Sequence, residues 1–150
     1  MATISEVLKN AQARAREMDL PYEGALTPGE AYQLLREAPD AKLVDVRTRA
    51  ERDWVGRIPG AIEIEWLTYP GHQTNPNFVT QLEAQVDPES LVMFICRSGG
   101  RSSHAAATAA QLGYSQAFNV LEGFEGDKDQ QGHRSTTGGW KHARLPWVQS

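Results

Sequence analysis

Apolar residues recur three or four positions apart over residues 4–18, near the start of the chain. This spacing is typical of an amphipathic helix with one apolar face. Thr3 and Glu6 have the spacing of a capping box, in which each side chain satisfies a free backbone N–H group where a helix begins. We therefore predict that residues 1–20 form a helix that packs on the outside of a domain formed by residues 21–150.

Short apolar runs then alternate with helical patterns. The pattern predicts strands at residues 42–47, 61–64, 91–95 and 117–121, and helices at residues 27–37, 75–86 and 100–112. Strands this short and this apolar are typical of a parallel sheet that is covered on both faces. The alternation of strands and helices predicts an α/β fold with a central, mainly parallel sheet flanked by helices.

A polar, glycine-rich segment covers residues 122–139. A stretch of this length without a periodic pattern is either an ordered loop over a site or a mobile segment, and both interpretations stay open. Tryptophan and leucine return in residues 140–147. We expect this last stretch to pack back onto the domain.

Composition narrows the classes of function. The 150 residues suit one domain. The net charge of −4 argues against a nucleic-acid or membrane surface, and no run approaches the ~20 apolar residues of a membrane span. Charged residues interrupt the N-terminal stretch, so it does not fit a secretory signal. A single cysteine cannot form an internal disulfide. We expect a cytoplasmic protein.

The lone cysteine, Cys96, follows the most apolar of the predicted strands. The next five residues are Arg97, Ser98, Gly99, Gly100 and Arg101, and a helical pattern begins there. The glycines allow backbone amides to curve into an anion-binding nest, and the helix N-terminus and the arginines add positive charge. This setting favours a reactive thiolate. The simpler alternative is a buried core cysteine, since unpaired cysteines often act as small apolar residues.

Two motifs resemble the rhodanese family of sulfurtransferases. The first comprises Asp45-Val46-Arg47, Glu51 and Gly56-Arg57-Ile58-Pro59-Gly60-Ala61, and the second is the loop from Cys96 to Arg101. Arg57 departs from the histidine usual in the family. A weaker third match spans residues 119–124, where Glu122 departs from a common glycine. The resemblance covers about residues 25–147.

The resemblance implies a rhodanese-like three-layer domain and a ping-pong reaction. Cys96 would attack the outer sulfur of thiosulfate or a similar donor and become a persulfide, and an external thiol, cyanide or a sulfur-accepting protein would remove that sulfur. The residues expected to bind the anionic donor are Arg97, Ser98, Gly99, Gly100 and Arg101. No cofactor is implied, and no metal is expected, because the histidines lack metal-ligand spacing.

Two other functions stay open. The first is a cysteine-dependent phosphatase, which would resemble a pattern with arginine six positions after cysteine, whereas Arg101 comes five positions after Cys96. The second is a non-enzymatic binding or sulfur-carrying module on the same fold. Asp45 and Arg47 could assist the anion site, but we favour a structural ion pair between Arg47 and Glu51, because such pairs outnumber catalytic ones.

Overall fold

The structure is a computed structural model and describes residues 2–149. Its helices are α1 (Ile4–Glu17), α2 (Pro28–Glu37), α3 (Arg49–Val55), α4 (Phe78–Gln85) and α5 (Gly100–Gln111). Its strands are β1 (Gly24–Leu26), β2 (Lys42–Asp45), β3 (Ile62–Glu63), β4 (Val92–Ile95) and β5 (Ala117–Val120). The strands form one sheet in the order β1-β5-β4-β2-β3, and each neighbouring pair is parallel. The predicted α/β class with a parallel sheet is confirmed.

Capping boxes begin the first three helices. Thr3, Thr27 and Thr48 each accept a hydrogen bond from the backbone of a glutamate three residues later, and that glutamate accepts one from the threonine backbone. The sequence pattern does not predict α3, although Thr48 and Glu51 have the spacing of a capping box. With only seven residues, α3 is too short for a clear helical period.

Two further elements differ from the prediction. Strand β1 was missed because its three residues are too few to show a pattern. Helix α4 begins at Phe78 rather than at residue 75. The side chain of Asn75 accepts a hydrogen bond from the backbone N–H of Asn77 at 3.0 Å, and this local turn competes with the helix.

Alternate residues of the strands enter two separate cores, as side chains do on the two faces of a sheet. On one face, Leu43 and Met93 pack with α1 and α2. On the other, Val44 and Phe94 pack with α4 and α5. The sheet is therefore the middle of three layers. Within residues 2–149, none of the helices combines the length and hydropathy needed to cross a bilayer.

The chain after β5 returns to the first of these cores. Trp140 is fully buried there, and its indole N–H donates to the carbonyl of Pro146 at 2.8 Å. Val148 pairs with Arg57 in an isolated antiparallel bridge. The segment of residues 140–148 thus packs against both the core and the turn that precedes β3.

Candidate active site

The candidate site lies where β4 ends at the carboxyl edge of the sheet. β4 has β2 on one side and β5 on the other, so the residues that follow these three strands meet there. Ligands of open parallel sheets bind at this edge because the loops lead into helix N-termini. Cys96 follows β4 directly and is the last residue before the loop into α5.

The loop turns the backbone towards the thiol. Gly99 has φ +113°, in the left-handed region that favours glycine, and its N–H donates to Cys96 Sγ at 3.1 Å. Cys96 itself is only 1% exposed. The sulfur therefore lies inside the turn, and the N-terminus of α5 begins at the next residue, Gly100.

A buried polar pair, Ser102 and Asn119, is hydrogen-bonded to the Cys96 sulfur through the Ser102 hydroxyl. Ser102 Oγ is 3.3 Å from Cys96 Sγ and donates to Asn119 Oδ1 at 2.6 Å. Asn119 in turn donates to the carbonyl of Gly99 at 3.3 Å. Ser102 and Asn119 are both nearly fully buried, so the hydrogen bonds satisfy groups that would otherwise be costly to bury. They connect the cysteine loop to β5.

Arg101 forms a two-pronged ion pair with Glu51, a residue of α3. The two guanidinium nitrogens lie 2.7 and 2.9 Å from the two carboxylate oxygens. Burial alone would raise the pKa of Glu51, but hydrogen bonds and charge from Arg101, with help from Thr48, outweigh it and lower this pKa from 4.5 to about 2. The pair ties the cysteine loop to α3.

The expected ion pair between Arg47 and Glu51 is wrong. Arg47 instead binds Asp45, with Nη2 2.7 Å from Oδ2 and Nε 3.0 Å from Oδ1, and both side chains are fully buried. Arg47 also donates to the carbonyl of Gly56 at 2.8 Å and lies over the ring of Phe124. Two arginines and two acids meet at this edge, and three-dimensional proximity decides which pairs form.

The remaining loop residues have different environments. Arg97 is exposed and has no side-chain hydrogen bond or salt bridge within residues 2–149. Ser98 is half-buried, and Gly100 is exposed. The serine hydroxyl that hydrogen-bonds to the thiol is that of Ser102. Among the described residues, no cluster of three or more His, Cys, Asp or Glu side chains has the arrangement of a metal site.

The turn after β5 supports the cysteine loop from the other side. The N–H groups of Phe124 and Glu125 donate to the carbonyls of Cys96 and Arg97 at 2.8 and 2.9 Å. Residues 123 and 124 are buried, whereas most of residues 127–137 are exposed. The start of the polar segment is therefore part of the site's framework, bonded to the backbone of the cysteine loop.

A pocket of about 440 Å³ borders the loop. Its lining consists of Thr48, Glu51, Leu67, Tyr69, His72, Arg97 and Arg101. These residues come from the chain after β2, the chain after β3, and the cysteine loop. The site therefore combines the buried thiol of Cys96, the exposed guanidinium of Arg97 and this pocket, whose lining includes both charged and apolar side chains.

Several of these residues are not predicted from the sequence to belong to the site. Asn119 had a recognisable signal, since it is polar within the otherwise apolar run of β5. Ser102 lies in the first turn of α5, where a side chain can reach back to the loop. Tyr69 and His72 have no recognisable signal in the sequence, because they lie in an irregular segment whose position depends on the fold.

The Glu51–Arg101 pair leads to a prediction about acid stability. Because the folded-state pKa of Glu51 lies below 4.5, its contribution is fully present above about pH 4.5 and is lost as the pH falls towards 2. Glu51→Gln is expected to remove this part of the pH dependence, on the order of 2 kcal/mol after solvent screening is allowed for. Denaturant unfolding of the wild type and of Glu51→Gln at pH 7, 4 and 3 measures this difference in the free energy of unfolding.

Glu89→Gln is the control for this experiment, since Glu89 is exposed and its substitution changes net charge equally. If the free energy of unfolding depended on pH in the same way in the Glu51 and Glu89 variants, the stabilising role of the Glu51–Arg101 pair would be contradicted.

Gly123 provides a second prediction. Its φ is +64°, and a Cβ there would lie 2.6 Å from the carbonyl oxygen of Cys96 and from the carbonyl carbon of Arg97. Gly123→Ala must therefore displace the cysteine loop, at an expected cost of roughly 1–3 kcal/mol in the free energy of unfolding beyond the strain of the positive φ. Gly132→Ala is the matched control, with φ +80° and open space around its Cβ. If Gly123→Ala lowered the free energy of unfolding no more than Gly132→Ala does, the turn after β5 and the cysteine loop would not constrain each other.

Comparisons with known proteins identify a family model and relatives that match this chain. Residues 27–130 match the family model described as "Rhodanese-like domain". An uncharacterized protein from Rickettsia conorii, RC0915, is 35% identical over 120 residues, which cover 79% of this chain and 91% of the relative. A protein from Allochromatium vinosum named "Sulfurtransferase" is 32% identical over 91 residues, or 61% of this chain and 75% of that protein.

A solved structure is also similar. The crystal structure of Rv0390 from M. tuberculosis is 40% identical and superposes with a TM-score of 0.79, covering 86% of this chain and 99% of that chain. The likeness therefore extends over most of both chains.

Proposed function

The chain belongs to the rhodanese-like domain family, which includes sulfurtransferases, and on this premise we propose that it is a sulfurtransferase whose Cys96 carries sulfur as a persulfide. The donor is thiosulfate or a similar anion, and the acceptor is an external thiol or cyanide. The observation that carries the proposal is the placement of the chain's only cysteine inside a turn whose amide donates to Sγ at 3.1 Å.

The chemistry is two displacements at sulfur. The Cys96 thiolate attacks the outer sulfur of thiosulfate, the S–S bond of the donor breaks, and its electron pair leaves with sulfite. An acceptor thiolate or cyanide then attacks the outer sulfur of the persulfide, and the Cys96 thiolate leaves. The scheme is ping-pong, and neither step changes the number of protons or needs a redox partner.

The loop residues have separate roles in this proposal. The Gly99 amide and the N-terminus of α5 stabilise negative charge on the sulfur. Arg97 is exposed and attracts the anionic donor. Both terminal nitrogens of Arg101 donate to Glu51, so this side chain holds the loop in shape. Asp45 and Arg47 act indirectly, since Arg47 lies over the ring of Phe124, whose N–H donates to the carbonyl of Cys96.

Burial of the nucleophile supports sulfur transfer over phosphate hydrolysis. Cys96 is 1% exposed, so a substrate has to present a narrow reacting atom. The terminal sulfur of thiosulfate is a single atom, whereas a phosphoryl group brings three oxygens that need their own donors. The cysteine loop, with Arg101 five positions after Cys96, is also one residue shorter than the phosphatase pattern.

The decisive experiment treats the purified protein with thiosulfate and measures its intact mass. An increase by one sulfur atom, lost again when cyanide is added and matched by thiocyanate release, supports the proposal. Hydrolysis of an aryl phosphate, assayed in parallel, is expected to be absent. Phosphatase activity without sulfur transfer would overturn the proposal in favour of a phosphatase, and the absence of both activities would favour a binding module.

A further inference from the structure

The Ser102 hydroxyl lies between the reacting sulfur and a residue of β5. Its oxygen is 3.3 Å from Cys96 Sγ and 2.6 Å from Asn119 Oδ1. A serine hydroxyl has one proton to donate, and both Ser102 and Asn119 are nearly fully buried. The sulfur and the amide oxygen therefore compete for the same proton.

The carbonyl of Gly99 is also 3.3 Å from Ser102 Oγ, but other groups already donate to it. The backbone N–H of Ser103 donates to this carbonyl at 3.1 Å, and Asn119 Nδ2 donates to it at 3.3 Å. A carbonyl oxygen has two lone pairs, so these two donors satisfy it. The Ser102 proton is left with Asn119 Oδ1 or Cys96 Sγ.

The side-chain amide of Asn119 is fixed in one orientation. If the amide turned over, Oδ1 would lie 3.3 Å from the carbonyl oxygen of Gly99 with no proton between the two oxygens. Oδ1 therefore faces Ser102. Because this contact is the shorter of the two, at 2.6 Å, Asn119 holds the proton of Ser102 away from the sulfur while the sulfur is neutral.

The charge on Cys96 Sγ changes during the proposed reaction. Sγ is negative in the thiolate, whereas in the persulfide the charge lies on the outer sulfur and Sγ is neutral. A hydrogen bond to a charged acceptor is roughly twice as strong as one between neutral groups. The hydroxyl proton therefore turns to Sγ in the thiolate and returns to Asn119 in the persulfide, by rotation about the serine C–O bond and without proton transfer.

We propose that Ser102 is a catalytic residue of the step that releases sulfur, and that Asn119 positions its proton. When the acceptor attacks the outer sulfur, a bond forms between the two, the S–S bond breaks, and its electron pair moves to Cys96 Sγ. The Ser102 hydroxyl donates to Sγ as negative charge develops there. This inference rests on the sulfurtransferase function proposed above.

The test measures the two half-reactions separately, by intact mass after rapid quenching. Loading is the formation of the persulfide from thiosulfate, and release is its removal by cyanide at one fixed pH. Ser102→Ala is expected to slow release roughly tenfold, because the leaving thiolate loses a hydrogen bond. Its loading rate, taken at the pH where this rate no longer rises, should fall by no more than about twofold.

Ser103→Ala is the matched control. It removes a hydroxyl from the next residue of α5, where Ser103 Oγ is hydrogen-bonded to the hydroxyl of Tyr22 at 2.9 Å rather than to the sulfur. Both half-reactions of this variant should stay within about twofold of the wild type.

Asn119→Leu tests the direction of the proton. The substitution removes the competing acceptor, so release should be at least as fast as in the wild type. Ser102→Ala leaves Asn119 Oδ1 without its donor, which could prevent folding. In that case the double variant Ser102→Ala with Asn119→Leu replaces it, since both partners are then apolar, and its release should be roughly tenfold slower than that of Asn119→Leu.

Equal slowing of loading and release by Ser102→Ala would overturn the inference, and so would release within about twofold of the wild type. Slowing of release by Asn119→Leu as large as that by Ser102→Ala would also overturn it, because Asn119 would then not compete with the sulfur. Loading of the wild type would still support the proposed function in each of these cases. If the wild type formed no persulfide, both the inference and the proposed function would be refuted.

Discussion

Replacing Cys96 with alanine is expected to lower the transfer of sulfur from thiosulfate to cyanide by at least about a thousandfold. The substitution removes the only sulfur that can carry the persulfide, since the chain has one cysteine. Thiocyanate release measures the rate, and intact mass measures the sulfur adduct. Both signals should disappear together.

The fold should survive this change, which makes the experiment interpretable. Cys96 belongs to the same buried cluster as Ala105 and Ala106, and alanine is a smaller apolar residue. The substitution removes the acceptor of the Gly99 N–H, but this contact is only part-buried. Circular dichroism and the unfolding midpoint provide the check. Cys96→Ser is the nearly isosteric companion and should be similarly inactive, because a serine hydroxyl remains protonated at neutral pH. Retention of more than a tenth of the activity by either folded variant would refute the persulfide mechanism.

Replacing Arg47 with alanine is expected to have the largest effect on stability. Arg47 and Asp45 are fully buried and bind each other through three side-chain hydrogen bonds. Removal of the guanidinium leaves a buried carboxylate without its countercharge, which typically costs about 3–5 kcal/mol. The loss includes the hydrogen bond to Gly56 and the contact with Phe124. Denaturant titration at pH 7 measures the free energy of unfolding.

Arg49→Ala is the matched control, two residues along the chain. The side chain of Arg49 is 84% exposed, and its nitrogen lies 3.7 Å from Asp53, so solvent screens the pair and no measurable change is expected. The double variant Asp45→Asn with Arg47→Met should recover part of the loss, because it removes both charges while filling the space. A loss below about 1 kcal/mol for Arg47→Ala would show that Asp45 is stabilised by other groups.

Prediction from sequence succeeded where a feature depends on residues near each other in the chain. The capping box at Thr3, the helix that begins near Thr27 and the strand that leads into Cys96 are of this kind. Their signals are hydrogen bonds or apolar periods that extend over a few positions. Thr48 carries the same kind of signal, but its helix is too short to show an apolar period.

Prediction failed where the choice of partner depended on the fold. Arg47, Glu51, Asp45 and Arg101 can form ion pairs in more than one way, and the sequence contains no distance with which to choose. In the structure, Glu51 reaches an arginine 50 positions away rather than the one four positions away. Under the proposed function, this pairing leaves the exposed Arg97 to attract the anionic donor.

By itself, the sequence determined the α/β class and the local setting of the cysteine at a strand end, before a glycine turn and a helix. Each of these properties arises from backbone hydrogen bonding and apolar periodicity within about a dozen residues. Only the tertiary structure decided that Asn119 and Ser102 lie behind the sulfur and that Glu51 pairs with Arg101. It also decided that Leu67 and Tyr69 line the pocket. These contacts join segments that follow different strands, and they form because a parallel sheet gathers the carboxyl ends of its strands at one edge.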